Sequence, residues 1–423
     1  MLFICYNANS KSTTHTNLIA TTMRIIHTSD WHLGNRLQEK TRTEEFRDFT
    51  EWLLVQLREQ KADVLLISGD IFDNSTPGDS TLELYHDFFS KADQTGCRYI
   101  IMTGGNHDGV AQLEASAPLL KRHHAYLVSS LSRDNLEKCL IPVADEAGNP
   151  AALVCAVPYL RPREVAEESS DSETDDAYIR GIAKLYEEVA RQAEAWKSAH
   201  EGLPVICMGH LSVSGAEVTD STRRLVGTLE TVNAGIFSPV FDYVALGHIH
   251  KGYSLAEGRI AYSGSPLPMG IDETADRHVL LVEINEGKVT REKLAVPSFT
   301  LHVKHSCATQ DELNALPDLL RTQEAEAGSK RTNLQLVYTG KDLSVEQLRT
   351  KAYEMFHRLY NYKLIVNRPG MYMELNDEDN VQDLSTLTPE SLFEKCLEKY
   401  NLEAAELAAI KNCFRQALDS LNN

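Results

Sequence analysis

No stretch of this 423-residue chain approaches the roughly 20 consecutive apolar residues that a membrane-spanning helix needs, so no helical span is expected. Cysteine offers no framework either. The eight cysteines, Cys5, Cys97, Cys139, Cys155, Cys207, Cys307, Cys396 and Cys413, are scattered and form no Cys-x-x-Cys pair. Several lie inside apolar runs, which fits reduced core thiols in a cytoplasmic protein better than a disulfide scaffold. Basic charge is scarce: 42 Lys and Arg against 61 Asp and Glu leave a formal net charge of -19. A protein that binds DNA alone usually carries a basic footprint. Either the substrate is not a polynucleotide, or a partner supplies most of the DNA affinity. Residues 1–22 lack a basic segment followed by a long apolar core, so they do not read as a signal peptide. They are expected to be a disordered extension ahead of Met23.

The remainder is ordinary for a globular protein, 42% hydrophobic and 24% charged, and long enough for one large domain and a smaller one. Within it lie five short clusters: Asp30–Trp31–His32, Gly69–Asp70–Ile71–Phe72–Asp73, Gly104–Gly105–Asn106–His107–Asp108, Gly209–His210 and Gly247–His248–Ile249–His250. Almost every one follows an apolar, β-prone run: Ile25–Ile26, Val64–Ile67, Tyr99–Met102, Val205–Met208 and Tyr243–Leu246. A buried strand ending in Gly and then a hard ligand is how an α/β protein presents side chains at one sheet edge. One such histidine is ordinary turn or core chemistry. Five in this order predict a shared site, and a ligand set of carboxylate, amide and imidazole without thiolate suits two divalent metals such as Mn²⁺.

Helical spacing over Glu44–Glu59 and Ser80–Lys91, between strands, predicts βαβ units and a sheet covered on both faces. An acidic loop at Glu167–Asp176 precedes a long helix over about Tyr178–His200. Arg259–Ser263, His278–Ile284 and Lys288–Leu294 read as antiparallel strands completing a second sheet. From Pro297 the texture changes to a small α/β module, with strands at Thr300–Lys304, Asn333–Tyr338 and Lys363–Asn367 and helices at Gln310–Gln323 and Ser344–Tyr360. An acidic linker at 376–388 leads to a helix pair over 389–423. Its stripes, Leu392, Phe393, Cys396 and Leu397, then Leu407, Ile410, Phe414 and Leu418, dock on their own domain or on a partner chain.

Two cations about 3.5–4 Å apart neutralise a phosphoryl group, activate a water and need a bridging carboxylate. Asp70, in the middle of the motif order, is the natural bridge. Asp73 either orients His107 or a ligand, or caps the turn before Thr76–Pro77–Gly78. His27 reads as a core residue and His123–His124 as a solvated turn. Arg36, Arg223 and Arg224 are candidate phosphate contacts of little individual weight.

The motif order resembles the calcineurin-like metallophosphoesterase superfamily. The longer segments His27–Gly34, Gly69–Asp73, Pro158–Tyr159–Leu160–Arg161 and Phe241–His250 are similar to its SbcD family, the nuclease subunits of bacterial SbcCD complexes and relatives of the eukaryotic and archaeal double-strand-break nuclease. The resemblance covers about residues 23–295. It implies a four-layer αββα sandwich over 23–296, a small C-terminal α/β capping domain over 297–375 and a helical tail that grips the partner's coiled coil. Asp30, His32, Asp70 and His250 would hold one metal, and Asp70, Asn106, His210 and His248 the other; none of the seven ligands is missing. His107 would contact the scissile phosphate and protonate the leaving oxygen, with Asp108 fixing His107. The implied activity is an ATP-dependent double-strand 3′→5′ exonuclease and single-strand endonuclease that cleaves hairpins in DNA repair and recombination. The implied assembly is a heterotetramer with the coiled-coil ATPase SbcC, containing a homodimer of nuclease domains. A stand-alone phosphoesterase acting on a small phosphodiester or a phosphoprotein would use the same motifs but needs neither the module nor the tail. A non-catalytic scaffold would be expected to have lost a ligand.

Overall fold

A computed structural model of the chain describes residues 22–37, 40–165, 175–214, 231–270, 273, 276–285, 288–328, 331–368, 371–375, 410–411 and 414. The expected extension, the Glu167–Asp176 loop up to residue 174, Arg223, Arg224, the linker and nearly all of the C-terminal helix pair lie outside these residues. The chain divides into two compact units, Met1–Pro297 and Ser298–Asn423.

In the first unit, β1 (Met23–Thr28), α1 (Thr43–Glu59), β2 (Val64–Ser68), α2 (Asp79–Ala92), β3 (Tyr99–Thr103), α3 (Val110–Leu120) and β4 (Ala125–Val128) follow one another as successive βα steps. β1 to β4 are parallel neighbours, in register from Ile25 opposite Val64 to Ile101 opposite Tyr126. β1, β2 and β3 are buried almost throughout, as parallel strands covered on both faces must be. α1 is helical because Phe46, Phe49, Leu53 and Leu57 recur at spacings of three and four, giving one apolar stripe to bury.

A second sheet combines β5 (Leu140–Ala144), β6 (Pro150–Ala156), β7 (Val205–His210), β8 (Tyr243–Gly247), β9 (Tyr253–Leu255) and β10 (Ile260–Tyr262), in the order β9-β10-β8-β7-β6-β5. The long helix α4 (Asp175–Ala199) lies on its outer face through Ile182, Leu185, Tyr186, Val189 and Ala193. The inner faces of the two sheets meet in one core, where Ile25, Val64, Leu66 and Ile101 oppose Val154, Ile206, Met208 and Ala245. Helix, sheet, sheet and helix make the four-layer α/β sandwich. No helix among the described residues is long and apolar enough to cross a membrane.

One strand assignment changes. The hairpin β11 (His278–Asn285) and β12 (Lys288–Ala295) belongs to the first sheet, where β11 pairs antiparallel with β1 from Met23 opposite Ile284 to His27 opposite Leu280. β10 alone extends the second sheet, and it runs parallel to β8. The reason is that β1 would otherwise offer an unpaired edge on a fully buried strand, and the returning hairpin satisfies it.

The second unit has strands β13 (Leu301–Cys307), β14 (Thr332–Tyr338), β15 (Asn361–Arg368) and β16 (Met371–Leu375), in that order, with helices α5 (Gln310–Ala327) and α6 (Val345–Phe356). Leu313, Leu316, Leu320, Leu348, Ala352 and Phe356 pack on Leu334, Leu336, Leu364 and Val366 as a separate core. Thr309 and Ser344 cap the two helices through their side-chain oxygens, and Ser344 with Gln347 completes a capping box.

Candidate metal centre

The loops leaving β1 and β2 are zipped together by their backbones. Asp30 N donates to Gly69 O at 3.0 Å, His32 N to Asp70 O at 3.0 Å and Leu33 N to Ile71 O at 2.9 Å. This brings the first two motifs side by side. Gly69 and Gly105 show why glycine precedes a ligand. A Cβ at Gly69, whose φ is +82°, would stand 2.2 Å from His210 Nδ1, and one at Gly105 would stand 2.1 Å from Asp70 Oδ1. Only a missing side chain lets the strand ends close on one another.

Four of the predicted ligands have left-handed backbones: Asp30 at φ 53°, His32 at 48°, Asp70 at 49° and His248 at 90°. Such conformations cost about 1–3 kcal/mol each for non-glycine residues and persist where surroundings impose them. Their concentration on ligand positions marks the site independently of the motifs.

All seven predicted ligands come together, and all but Asn106 are buried. Donor atoms of Asp30, His32 and His250 form one group, and those of Asp70, His210 and His248 a second, each spanning no more than 4.8 Å. Asp70 lies between them, with Oδ2 3.2 Å from His210 Nε2 and 3.7 Å from His32 Nε2. Asn106 Oδ1 is 3.0 Å from both His210 Nε2 and His248 Nδ1.

The donor chemistry tests whether cations fit. His210 Nδ1 is 2.8 Å from the Ser68 carbonyl, which can only accept, so Nδ1 carries the proton. Neutral His210 then points an Nε2 lone pair at two oxygen acceptors, Asp70 Oδ2 and Asn106 Oδ1. Likewise His32 Nε2 faces His250 Nε2 at 3.2 Å. Acceptors converging in a buried site need a cation among them. With protons as the only cations, burial works against charge at both Asp70 and His210, yet their mutual attraction wins: the His210 pKa is raised and that of Asp70 falls below its usual range. A divalent ion supplies the same compensation, so the residues fit the metals that the donor set implies.

His107 stands at the rim, half-buried, its ring 4.8 Å from that of His32. Its Nδ1 donates to the Asp73 carbonyl at 2.8 Å, which leaves Nε2 as the position that gains or loses a proton. The expectation that Asp108 fixes His107 is corrected. Asp108 accepts three backbone N–H bonds, from Gly105 at 2.8 Å, Ile71 at 3.1 Å and Phe72 at 2.9 Å, and so ties the second motif to the third. Asp73 takes the orienting role among its open alternatives. Its carbonyl holds His107, and its Oδ1 sits 3.4 Å from His32 Nδ1 and accepts from Asn35 Nδ2 at 3.0 Å.

His27 is a core residue, fully buried against Tyr243 Oη at 2.9 Å. His123 pairs with Asp93 in a surface turn that ends at His124, φ 51°. Arg36 lies on an exposed stretch and joins neither donor group.

Several residues around the site carried no local signal in the sequence. Tyr159 stacks on His248 with ring centroids 6.4 Å apart, and Arg161 lies over Tyr159. Arg42 is buried, donating to Asn35 Oδ1 at 2.9 Å and Glu45 Oε2 at 2.7 Å. Glu273 and Arg277 reach the back of His250 from a segment without motif character. Tyr159 and Arg161 belong to the Pro158–Arg161 segment already singled out; the others could not be placed before the chain was folded.

The sequence pattern of the calcineurin-like phosphoesterase family matches residues 23–252. The chain is 35% identical to SbcD, the smaller-named component of the SbcCD nuclease, of Escherichia coli K12 over 288 residues, 65% of this chain and 68% of that protein. It is 34% identical to the protein of the same name from Rhodobacter capsulatus over 279 residues, 64% and 68% of the two chains. Among solved structures, a dimetal phosphatase from Danio rerio is matched at a TM-score of 0.38 and 12% identity, over 65% of this chain and 99% of that one.

Proposed function

The chain belongs to the calcineurin-like phosphoesterase family, on its SbcD branch, and from that premise we propose how it acts as a metal-dependent nuclease. The observation that carries the reading is the convergence of lone pairs from His210, Asp70, Asn106, His32 and His250 on two adjacent points at the sheet edges. Asp30, His32, Asp70 and His250 would hold one divalent cation, and Asp70, Asn106, His210 and His248 the other, with Mn²⁺ suiting the mixed oxygen and imidazole donors. When bound, the two cations would neutralise the phosphodiester's nonbridging oxygens and lower the pKa of a water.

The chain's own groups do the remainder. The Asp73 carbonyl fixes the His107 ring, and protonated Nε2 delivers its proton to the departing sugar oxygen as the P–O bond breaks. Asp108 keeps the His107 loop and the Asp70 loop in register by its three backbone contacts. Tyr159 covers His248 and reduces its access to bulk water.

The substrate in this proposal is DNA, cut as a double-strand 3′→5′ exonuclease and single-strand endonuclease, hairpins included. The partner is an SbcC-type ATPase, which supplies the positive surface that a chain of net charge -19 lacks. The second unit would serve as the capping domain, and the C-terminal helix pair would grip the ATPase coiled coil. The test is cleavage of labelled linear and hairpin DNA with Mn²⁺, with and without the ATPase encoded beside this chain. Cutting of single strands by the chain alone, and of duplex ends only with ATPase and ATP, is the expected result. Hydrolysis of a small phosphodiester or a phosphoprotein with no cutting of any DNA would overturn the reading.

A further inference from the structure

The backs of the candidate ligands differ between the two metal positions. Behind His210 stands a neutral group, the Ser68 carbonyl, and His248 rests against the Tyr159 ring. Behind His32 and His250 stand carboxylates. Asp73 faces His32 Nδ1 at 3.4 Å, and Glu273 Oε1 faces His250 Nδ1 at 3.9 Å.

The Glu273 arrangement is the more built of the two. Its side chain is only 5% exposed, against 29% for that of Asp73. Glu273 Oε2 accepts from Arg277 Nη2 at 2.6 Å and from the Met269 backbone N–H at 2.9 Å. Arg277 Nη1 in turn donates to the His250 carbonyl at 2.9 Å and to Ser265 Oγ at 2.9 Å. One ion pair therefore clamps both the main chain and the ring side of the same residue. His250 Nδ1 is fully buried and has no hydrogen-bond partner among the described residues, so the nearby Glu273 Oε1 is the acceptor it lacks. A carboxylate behind an imidazole fixes the tautomer with Nε2 free for a metal and makes that nitrogen a stronger donor.

We propose that Glu273, clamped by Arg277, is a positioning residue for His250 and governs affinity at the Asp30–His32–His250 metal position without governing the other. This rests on the metal-centre reading above. The geometry separates the two positions because Glu273 approaches only His250 among the ligands in the contacts described, while His210 and His248 have their own neutral supports.

The experiment uses the full chain, stripped with chelator and titrated with Mn²⁺, with free Mn²⁺ followed by electron paramagnetic resonance. The wild type is expected to show two sites. Glu273→Gln keeps the side-chain volume and removes the charge; it should weaken one site by about 10- to 100-fold and leave the second unchanged. The visible spectrum of the Co²⁺-loaded variant should change for only part of the bound metal. Arg277→Met leaves the carboxylate but loosens it, and should weaken the same single site by a smaller factor; it decides the matter if Glu273→Gln does not fold. Unchanged affinity at both sites, or an equal loss at both accompanied by a lower melting temperature of the metal-free protein, overturns the inference and leaves Glu273 a structural residue. A wild-type chain that binds fewer than two metals instead overturns the metal-centre reading.

Discussion

Asp70 and His107 touch, backbone N–H to carboxylate at 2.9 Å, yet the site asks opposite things of them. Asp70 lies between both donor groups, so Asp70→Ala should release at least one metal and abolish cleavage, as elemental analysis and a DNA assay would show. Retention of two metals would remove it as the bridge. His107 belongs to the rim, and His107→Ala should retain both metals while cleavage falls by about 10²–10⁴-fold, the range of a lost general acid. Parallel loss of metal and activity would make His107 a ligand instead. Asp108 illustrates how a residue type misleads. A carboxylate next to a histidine invites pairing with it, but three converging backbone N–H groups in a buried pocket compete better for its two oxygens.

Among the elements, strand ends matter more than strands. Gly105→Ala would drive a methyl into the Asp70 carboxylate and backbone. The variant should be destabilised by about 1–3 kcal/mol and bind metal poorly, measured by thermal unfolding and Mn²⁺ titration. Wild-type metal affinity in Gly105→Ala would show that the close approach is dispensable. β1 carries a second consequence. Burial pulls the His27 pKa from 6.5 down to about 3, and His278 on the neighbouring β11 falls to about 4 through burial and the nearby Lys293 and Arg277. A histidine whose folded pKa lies below its unfolded value resists protonation in the fold. It therefore costs stability as pH falls below about 6.5, at up to about 1.4 kcal/mol per pH unit. Metal-free protein should melt at a lower temperature near pH 5 than near pH 7.5. Glu or Asp chemistry alone does not predict where the loss begins; His27→Gln, which retains a partner for Tyr243, should narrow the difference. An unaltered difference in that variant would assign the acid sensitivity to other groups.

For the molecule as a unit, charge and architecture set the terms. At a net charge of -19 the chain should bind duplex DNA weakly by itself, and the partner should bring both affinity and its salt dependence. Truncation after Asp383 should leave the first unit folded, loaded with Mn²⁺ and active on short single strands. Co-purification with the ATPase and ATP-stimulated cutting of duplex ends should be lost, because each Leu or Phe buried on a coiled coil contributes about 1.5–3 kcal/mol. A truncated chain that unfolds, or that still binds the ATPase, would return the stripes at Leu392, Phe393, Phe414 and Leu418 to the protein's own core.

The α/β class, the strands that end at the site and the seven ligand candidates were legible in the sequence, because these are written in short stretches. An apolar run makes the strand, a glycine permits the close turn, and the next residue or two carry the donor atoms. The separate role of His107 among its neighbours was legible too, through family likeness. What stands behind those ligands emerged only with folding. Asn35, Arg42, Glu273 and Arg277 act through contacts between segments far apart in the chain, and no periodicity or local motif encodes such a partner. The same holds for the β11–β12 hairpin. Its alternation announces two antiparallel strands, but the sheet that receives them is chosen by which buried edge, here that of β1, still lacks hydrogen-bond partners.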